Sequence, residues 1–376
     1  MSIFLFLLFA ADDLVRNPAQ APGPMLSFTE TLRLGDENID HLAWGLESAL
    51  AIDEQGNLAI LDRANQRLIA LNDSGKLLWQ VGGKGQGPGE MLGPSDVVYF
   101  DHSYYVFDSL KRKVMQFKAS DGSLQSETTL PVQSMAVLFP DINQHGFIFT
   151  VVQMDAQMQQ SYVLKLYDKN WQWVADLGAT QLAPVDWSQM GQPGFYVDYL
   201  AKQYESIANG FPLGIAQEDH FLCVQTAKYA GTFWAADGRK LGAFEKEHVA
   251  LPYSDAAQEA VATSITENIR MSAPFGSELT SNVQKAALAK NTFPDRMSPI
   301  STLIDGEQGF AILRDFDVTK GTGIIDFFDV KGRNTGSANY RGYGGDMLLR
   351  GGQLYDLGNG PDELVYLIRQ KAVIAQ

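Results

Sequence analysis

Short apolar runs separated by polar turn residues dominate the chain from residue 49 onward. Runs of only a few residues that end at Gly, Asn and Asp turns are typical of strands rather than helices. The first group holds four of them: Ala49–Asp53, Leu58–Asp62, Arg67–Leu71 and Leu77–Val81. This group therefore predicts a small antiparallel sheet of four strands joined by tight turns.

The same pattern then repeats. Asp62 and Asp108 stand 46 positions apart, and Gly75 and Gly122 stand 47 apart, which matches the period of four-stranded propeller blades. The sixth group has only three runs, and Leu26–Leu34 can supply the missing strand and remove the open sheet edge. We predict an all-β, six-bladed β-propeller closed by an N-terminal strand. Blades two to six span Asp96–Thr129, Val137–Leu177, Phe211–Phe244, Ile300–Tyr340 and Asp346–Arg369.

Two stretches break the period and predict helical insertions, residues 184–208 between blades three and four and residues 252–299 between blades four and five. In the second, Val261, Ile265 and Ile269 recur at intervals of four, as on one face of a helix. We assign residues 25–372 to one propeller domain and residues 1–24 to a signal-like leader and linker.

The leader carries an apolar run, Ile3–Ala11, which is too short to span a bilayer and resembles the core of a secretion signal. Ala19-Gln20-Ala21 has the form of a cleavage site, although a disordered or packed leader is the alternative. No cysteine follows the run, so we expect no lipid anchor. The prediction is an exported protein, periplasmic or extracellular, with no transmembrane span.

Composition and net charge limit the classes of partner that this protein is expected to bind. The formal charge of −15 disfavours binding to nucleic acid or to anionic lipid. Cys223 is the single cysteine, so neither an intrachain disulfide nor a cysteine metal cluster can form. We expect a monomer whose partner is a protein or a small anionic ligand.

A glycine-rich segment carries a family resemblance. Residues 82–90, GGKGQGPGE, followed by Pro94, and the segment Asp62-x-x-Asn65-x-Arg67 resemble the linker and strand motifs of NHL-type propellers. The likeness is close over residues 46–125, and the layout is similar to that of exported bacterial six-bladed propeller proteins. The resemblance implies the fold. Propellers of this kind include protein-binding modules, lactonases and lyases, so it leaves the function open.

Local signatures of catalysis are absent from the sequence. The five histidines form neither H-x-H nor H-E-x-x-H, and no G-x-S-x-G or S-x-x-K occurs. A calcium or other divalent site could still form from acids of different blades, at the ends of what we predict to be inner strands. The alternative for these acids is to hydrogen-bond turn backbone or to pair with Arg67 or Arg112. The four candidates are Asp62, Asp108, Asp155 and Asp315.

One face of the predicted propeller is elaborated. Strands of a blade alternate in direction, so blade-to-blade links and loops between second and third strands share a face, and both insertions lie there. Long loops and insertions on one face indicate that this face carries the function. We predict ligand-binding residues at the channel mouth on that face, with salt bridges between neighbouring Arg and Asp as the structural alternative. They are Arg63, Arg112, Tyr229, Arg314 and Asp315.

These observations favour a non-enzymatic binding protein without a cofactor, acting through its elaborated face. The alternative is a metal-dependent hydrolase, lactonase-like, or a lyase. In that case carboxylates at the channel mouth would hold a cation that polarises a carbonyl.

Overall fold

The computed structural model describes residues 14–374 except 46–47, 133–136, 193, 207–209, 273–274, 291, 361 and 363. The predicted leader run Ile3–Ala11 lies outside the described residues. Strands dominate, and their pairing follows the chain, with each strand antiparallel to the next within a unit. The described strands form six four-stranded units, which we call blades 1 to 6.

The first three blades are built from consecutive strands. Blade 1 contains β3 (Ala49–Ile52), β4 (Leu58–Asp62), β5 (Arg67–Leu71) and β6 (Leu77–Gly82). Blade 2 contains β7 (Pro94–Phe100), β8 (Ser103–Asp108), β9 (Lys113–Lys118) and β10 (Leu124–Thr129). Blade 3 contains β11 (Val137–Ile142), β12 (Gly146–Met154), β13 (Gln160–Asp168) and β14 (Trp173–Gln181).

Blades 4 and 6 each include a strand from the N-terminal part of the chain, whereas blade 5 is built from consecutive strands. Blade 4 contains β15 (Pro212–Ala216), β16 (Phe221–Gln225), β17 (Ala230–Trp234) and β18 (Lys240–Lys246), with β1 (Leu14–Asn17) added at its edge. Blade 5 contains β19 (Thr302–Gly306), β20 (Gly309–Asp317), β21 (Thr322–Asp329) and β22 (Asn334–Arg341). Blade 6 contains β23 (Asp346–Arg350), β24 (Gln353–Asn359), β25 (Val365–Ile374) and β2 (Leu26–Leu34).

Closure through β2 is as the sequence predicts. β2 pairs antiparallel with β25, from Leu26 opposite Ile374 to Leu34 opposite Leu367, and completes blade 6. The N-terminal strand thereby covers an edge that would otherwise expose unpaired backbone groups.

A strand in the stretch assigned to the leader and linker was not anticipated. β1 pairs parallel with β18, and Asn17 is buried at its end. The Asn17 amide donates to the carbonyl of Gly332 at 2.9 Å and accepts from the backbone N–H of Asn334 at 2.8 Å. Cleavage after Ala21 would remove this strand.

Apolar side chains fill the space between neighbouring blades rather than one central core. Six clusters of buried residues each join one pair of adjacent blades, including blades 6 and 1. Each blade is apolar on both faces, because it packs against a neighbour on either side. Stability therefore depends on a complete ring of contacts.

The two predicted insertions contain helices, α1 (Phe195–Ser206), α2 (Asp255–Ser272) and α3 (Ser281–Leu288). They share an apolar cluster of their own, in which Leu200, Tyr204 and Ala262 are fully or almost fully buried. In the described part of the chain, no helix is long and apolar enough to cross a membrane.

Strand directions define two faces. First strands begin at the face that carries the blade-to-blade links, both helical insertions and the loops between second and third strands. We call this the upper face and its opposite the lower face. The first strands of the six blades surround a central channel that connects them.

Candidate functional site

The predicted site residues divide into three groups in the structure. Tyr229, Arg314 and Asp315 come together between blades 4 and 5. Arg63 lies at the upper end of the channel. Arg112 is exposed and stands apart, where its guanidinium donates to the carbonyl of Val132 at 3.2 Å. The five residues therefore do not form one site.

The cluster between blades 4 and 5 is centred on Asp326 of β21, whose side chain is fully buried. Its carboxylate accepts the Tyr229 hydroxyl at 2.5 Å and the Arg314 Nε at 2.8 Å, and it also accepts the Ser337 hydroxyl. Lys246 Nζ lies 4.0 Å away. Sequence reasoning missed Asp326, since an acid inside an apolar third strand carries no motif.

Asp315 extends this cluster toward the upper face. Its carboxylate lies 2.5 Å from the Arg314 guanidinium and 3.1 Å from His248 Nε2. Burial alone would raise the pKa of Asp315, but the bonds from His248 and Arg314 outweigh burial and lower it. The arrangement matches the structural alternative for Arg314, because its charge is neutralised by two acids. Whether this cluster also binds a ligand stays a prediction.

Each of the four metal-site candidates is already bonded to protein groups, and for Asp315 these are His248 and Arg314. Asp62, Asp108 and Asp155 follow or end second strands, not the inner strands that the sequence analysis expected. Asp62 accepts Arg67 Nε at 2.8 Å, Asp108 accepts the N–H of Leu92 at 2.8 Å, and Asp155 accepts backbone N–H groups of its turn. Among the residues that the structure describes, no group of three His, Cys, Asp or Glu side chains could hold a metal ion.

Four other acids line the channel. From the upper to the lower end they are Asp346, Asp96, Asp141 and Asp305, each on a first strand. Asp346 accepts the N–H of Leu50 at 2.6 Å and so links blade 6 to blade 1. Asp141 accepts the N–H of Ala216 at 2.8 Å and links blade 3 to blade 4 in the same way. These carboxyls therefore connect neighbouring blades around the channel.

An arginine accompanies the acids at each end of the channel. Arg63 donates to the carbonyl of Pro94 at 3.2 Å and acts electrostatically on Asp96 and Asp346. At the lower end, the Arg350 guanidinium lies 2.5 Å from Asp305, whose carboxylate also accepts the Gln217 amide at 2.7 Å. The Gln217–Asp305–Arg350 chain thereby joins blades 4, 5 and 6.

Burial raises the pKa values of three acids that line the channel. Desolvation, followed by repulsion from Asp305, raises the pKa of Asp141 to about 7. Desolvation raises the pKa of Asp346 to about 6. The pKa of Asp96 rises well above its usual value, through desolvation and then through repulsion from Asp346. The channel therefore holds carboxyls that are protonated more readily than ordinary aspartates.

These shifts predict a pH dependence of stability. Between about pH 4 and pH 7 the folded chain binds more protons at these acids than the unfolded chain, so they make the free energy of unfolding fall as pH rises. Each acid contributes up to about 1.4 kcal/mol per pH unit. Burial lowers the pKa of His220 to about 4, which acts in the opposite direction below about pH 6.5. The decline should therefore be clearest between about pH 6.5 and 7, above the range in which His220 opposes it.

An Asp96→Asn variant isolates one acid, because its amide oxygen can still accept the Val97 N–H that Asp96 accepts at 2.8 Å. We expect a shallower decline and a higher unfolding free energy at pH 8 than in the wild type, measured by urea denaturation. Asp73→Asn, at an exposed turn, is the control and should keep the wild-type slope. An unchanged slope in Asp96→Asn would refute the assignment.

The lower end of the channel opens into a cavity of about 500 Å³ that the sequence analysis did not anticipate. Its walls come from the ends of first strands and the turns that follow them. The cavity is acidic, with one arginine, Arg350, and six carboxylates: Asp53, Glu54, Glu218, Asp219, Asp305 and Glu307. The signal available in the sequence was the recurrence of acids in the turn after the first strand of blades 1, 4 and 5.

Comparison with known proteins agrees with this architecture. Residues 49–196 match the model of a family described as a 6-bladed beta-propeller. The chain is a β-propeller protein. Comparison with curated proteins gives no match. Neither the family model nor the similar structures identify NHL repeats, so that finer assignment stays a prediction.

Solved structures resemble this propeller over nearly its whole length. A protein of Bacteroides fragilis NCTC 9343, predicted to be exported, is 13% identical, with 97% of this chain and 100% of that chain covered and a TM-score of 0.56. A Bacteroides vulgatus ATCC 8482 protein is 8% identical, with 94% and 99% covered and a TM-score of 0.50. Virginiamycin B lyase from Staphylococcus aureus is 8% identical, with 92% and 100% covered and a TM-score of 0.44. At these identities the likeness concerns the fold alone.

Proposed function

We propose that this chain is an exported binding propeller that docks a protein partner on its upper face. The observation that carries the proposal is the distribution of exposed large apolar side chains. Val249 is 75% exposed and Leu110 is 71% exposed, both on upper-face loops. In the described part of the chain, the upper-face members of this set are Ile39, Leu110, Phe139, Met154, Met158, Met190, Val249, Leu251 and Val318.

The positions of these side chains favour a large partner. They come from loops, links and upper strand ends of blades 1 to 5, so they are distributed over the upper face instead of lining one small pocket. Two exposed apolar side chains of the lower half, Leu78 and Ile374, lie on the fourth strand of blade 1 and on the third strand of blade 6. Exposed apolar side chains with polar residues around them are a surface that a protein partner can cover.

Site-specific photocross-linking tests this proposal in the cells that produce the protein. We expect p-benzoylphenylalanine at Leu110 or Val249 to give one discrete adduct with a second protein. The same probe at Leu78 or Ile374, which are 48% and 69% exposed, should give none. Equal adducts at all four positions, adducts only at the control positions, or an adduct of two copies of this chain would contradict the proposal.

A further inference from the structure

A second cavity, of about 700 Å³, opens on the upper face between blade 3, blade 4 and the end of α1. Its lining includes the outermost strand of blade 3, and it shares no lining residue with the Asp326 cluster or with the acidic lower cavity. Its polar lining has one acid, one base and four neutral hydrogen-bonding side chains. They are Glu205, Lys228, Gln159, Thr180, Gln181 and Gln225. In a chain with a formal charge of −15, this lining is balanced in charge.

Two of its amides are already oriented. The amide nitrogen of Gln159 donates to the carbonyls of Gln160 at 3.1 Å and Leu182 at 2.8 Å, so this side chain offers a ligand its carbonyl oxygen. The amide oxygen of Gln225 accepts the Thr180 hydroxyl at 3.1 Å, so Gln225 offers its N–H groups. The cavity thus presents an acceptor and a donor that need little reordering on binding.

A row of aromatic rings leads from this cavity to the channel mouth. Tyr162 is the cross-strand partner of Thr180, and its ring centroid lies 6.1 Å from that of Phe211. Phe211 precedes Pro212, the partner of Gln225, and stacks on Phe139 at 5.9 Å with an angle of 15°. The row therefore begins next to two cavity residues, Thr180 and Gln225, and its own rings extend the site beyond the cavity lining.

Phe139 ends the row in an unusual state. The residue is 45% exposed, and its backbone has a φ of 51°, in the left-handed region that bulky residues rarely adopt. It sits where the register of β11 against β12 shifts between Leu138 and Asp141. A strained backbone that holds an aromatic ring toward solvent is a common feature of ligand sites.

We propose that this cavity and its aromatic row bind a neutral saccharide. Fixed amide donors and acceptors match sugar hydroxyls, which both donate and accept. The C–H face of a sugar ring carries partial positive charge and packs on the negative face of an aromatic ring. A phosphorylated or carboxylated ligand fits less well, because Glu205 faces the cavity together with a single lysine, Lys228. The inference does not depend on partner docking, since the cavity lining contains none of the exposed apolar residues of the upper face and Phe139 alone belongs to both surfaces.

Isothermal titration calorimetry with the full chain tests the proposal. The probes are neutral hexasaccharides of glucose, xylose, mannose and N-acetylglucosamine, each at up to about 10 mM, with polygalacturonate as the charged comparison. We expect at least one neutral probe to bind and polygalacturonate not to bind. No binding by any neutral probe, or tighter binding of polygalacturonate, would overturn the inference.

Substitutions at the cavity and in the aromatic row test whether the saccharide binds at this site. Gln225→Leu should weaken the affinity for the bound saccharide about tenfold, as expected for the loss of one well-formed hydrogen bond. Phe139→Ala, at an exposed position, should weaken the affinity by a similar factor. Unlike Gln225→Leu, it leaves the hydrogen bond of the Thr180 hydroxyl intact. Gln116→Leu in blade 2 removes a glutamine bonded to Ser103 and Ser126 and should leave binding unchanged. Equal affinities in all three variants would place the sugar elsewhere and refute this site.

Discussion

Deletion of residues 1–34 should abolish cooperative folding of the propeller. It removes β2, in which eight residues pair with β25, and exposes the edges of blades 6 and 5. It also removes Leu34, which is 8% exposed in the cluster between blades 1 and 6, and Phe28, which packs between blades 5 and 6. Each such side chain contributes about 1.5–3 kcal/mol on burial. Together with the lost strand pairing, this approaches the roughly 5–15 kcal/mol that stabilises an ordinary domain.

Two shorter deletions serve as comparisons for the deletion of residues 1–34. Circular dichroism during heating measures the melting temperature of each protein. Removal of residues 1–12 ends before the first described strand and should leave the melting temperature unchanged. Removal of residues 1–24 takes away β1 and the bonds of Asn17, and should lower the melting temperature by several degrees while unfolding stays cooperative. A protein lacking residues 1–34 that melts at the wild-type temperature would show that β2 does not close the ring.

Asp326→Ala should cost about 3–5 kcal/mol of unfolding free energy, because the buried Lys246 loses its acid and Arg314 keeps only Asp315. Arg314 and Lys246, whose side chains are 12% and 1% exposed, would lose the acid that lies at 2.8 Å and 4.0 Å from them. Tyr229 would lose the acceptor of its hydroxyl. Urea denaturation at neutral pH measures the loss as a lower midpoint.

An exposed ion pair provides the control for Asp326. Glu245→Ala removes a salt bridge to Arg16 whose side chains are 47% and 74% exposed, and it should cost no more than about 1 kcal/mol. Comparable small losses in both variants would mean that the Asp326 cluster does not hold blades 4 and 5 together. Its residues, Tyr229 and Arg314 included, would then be better candidates for ligand binding than for structural support.

The strands were predictable because each depends on a local pattern. Alternating apolar runs and turn glycines indicate strands wherever a blade packs on both sides, and the interval of 46 to 47 residues indicates their repetition. Counting strands left the last blade one short, and Leu26–Leu34 was available to complete it, as the structure shows. The apolar interval of four in Val261, Ile265 and Ile269 similarly predicted a helix, and these residues lie in α2.

β1 escaped this reasoning because its four residues, Leu-Val-Arg-Asn, carry too short a pattern. Its position depends on the open edge of β18 and on the bonds of Asn17 to a turn of blade 5, more than 300 residues away. The positions of the predicted ligand-binding residues on the upper face were also not predictable from a local pattern. The loops that contain Arg63, Arg112 and Arg314 could be assigned to one face from the order of the strands. How far each side chain lies from the propeller axis depends on the conformation of its loop.

Periodicity along the chain is enough to predict the β class, the repeating four-stranded unit, the closing strand and the places of the helices. Which side chains meet depends instead on the tertiary structure. Asp346, Asp96, Asp141 and Asp305 lie on four different blades, and they line one channel because the closed ring brings the first strands together. The same closure gathers Tyr162, Phe211 and the amides of the upper cavity. Distances across a ring depend on the packing of every blade, and no local pattern encodes them.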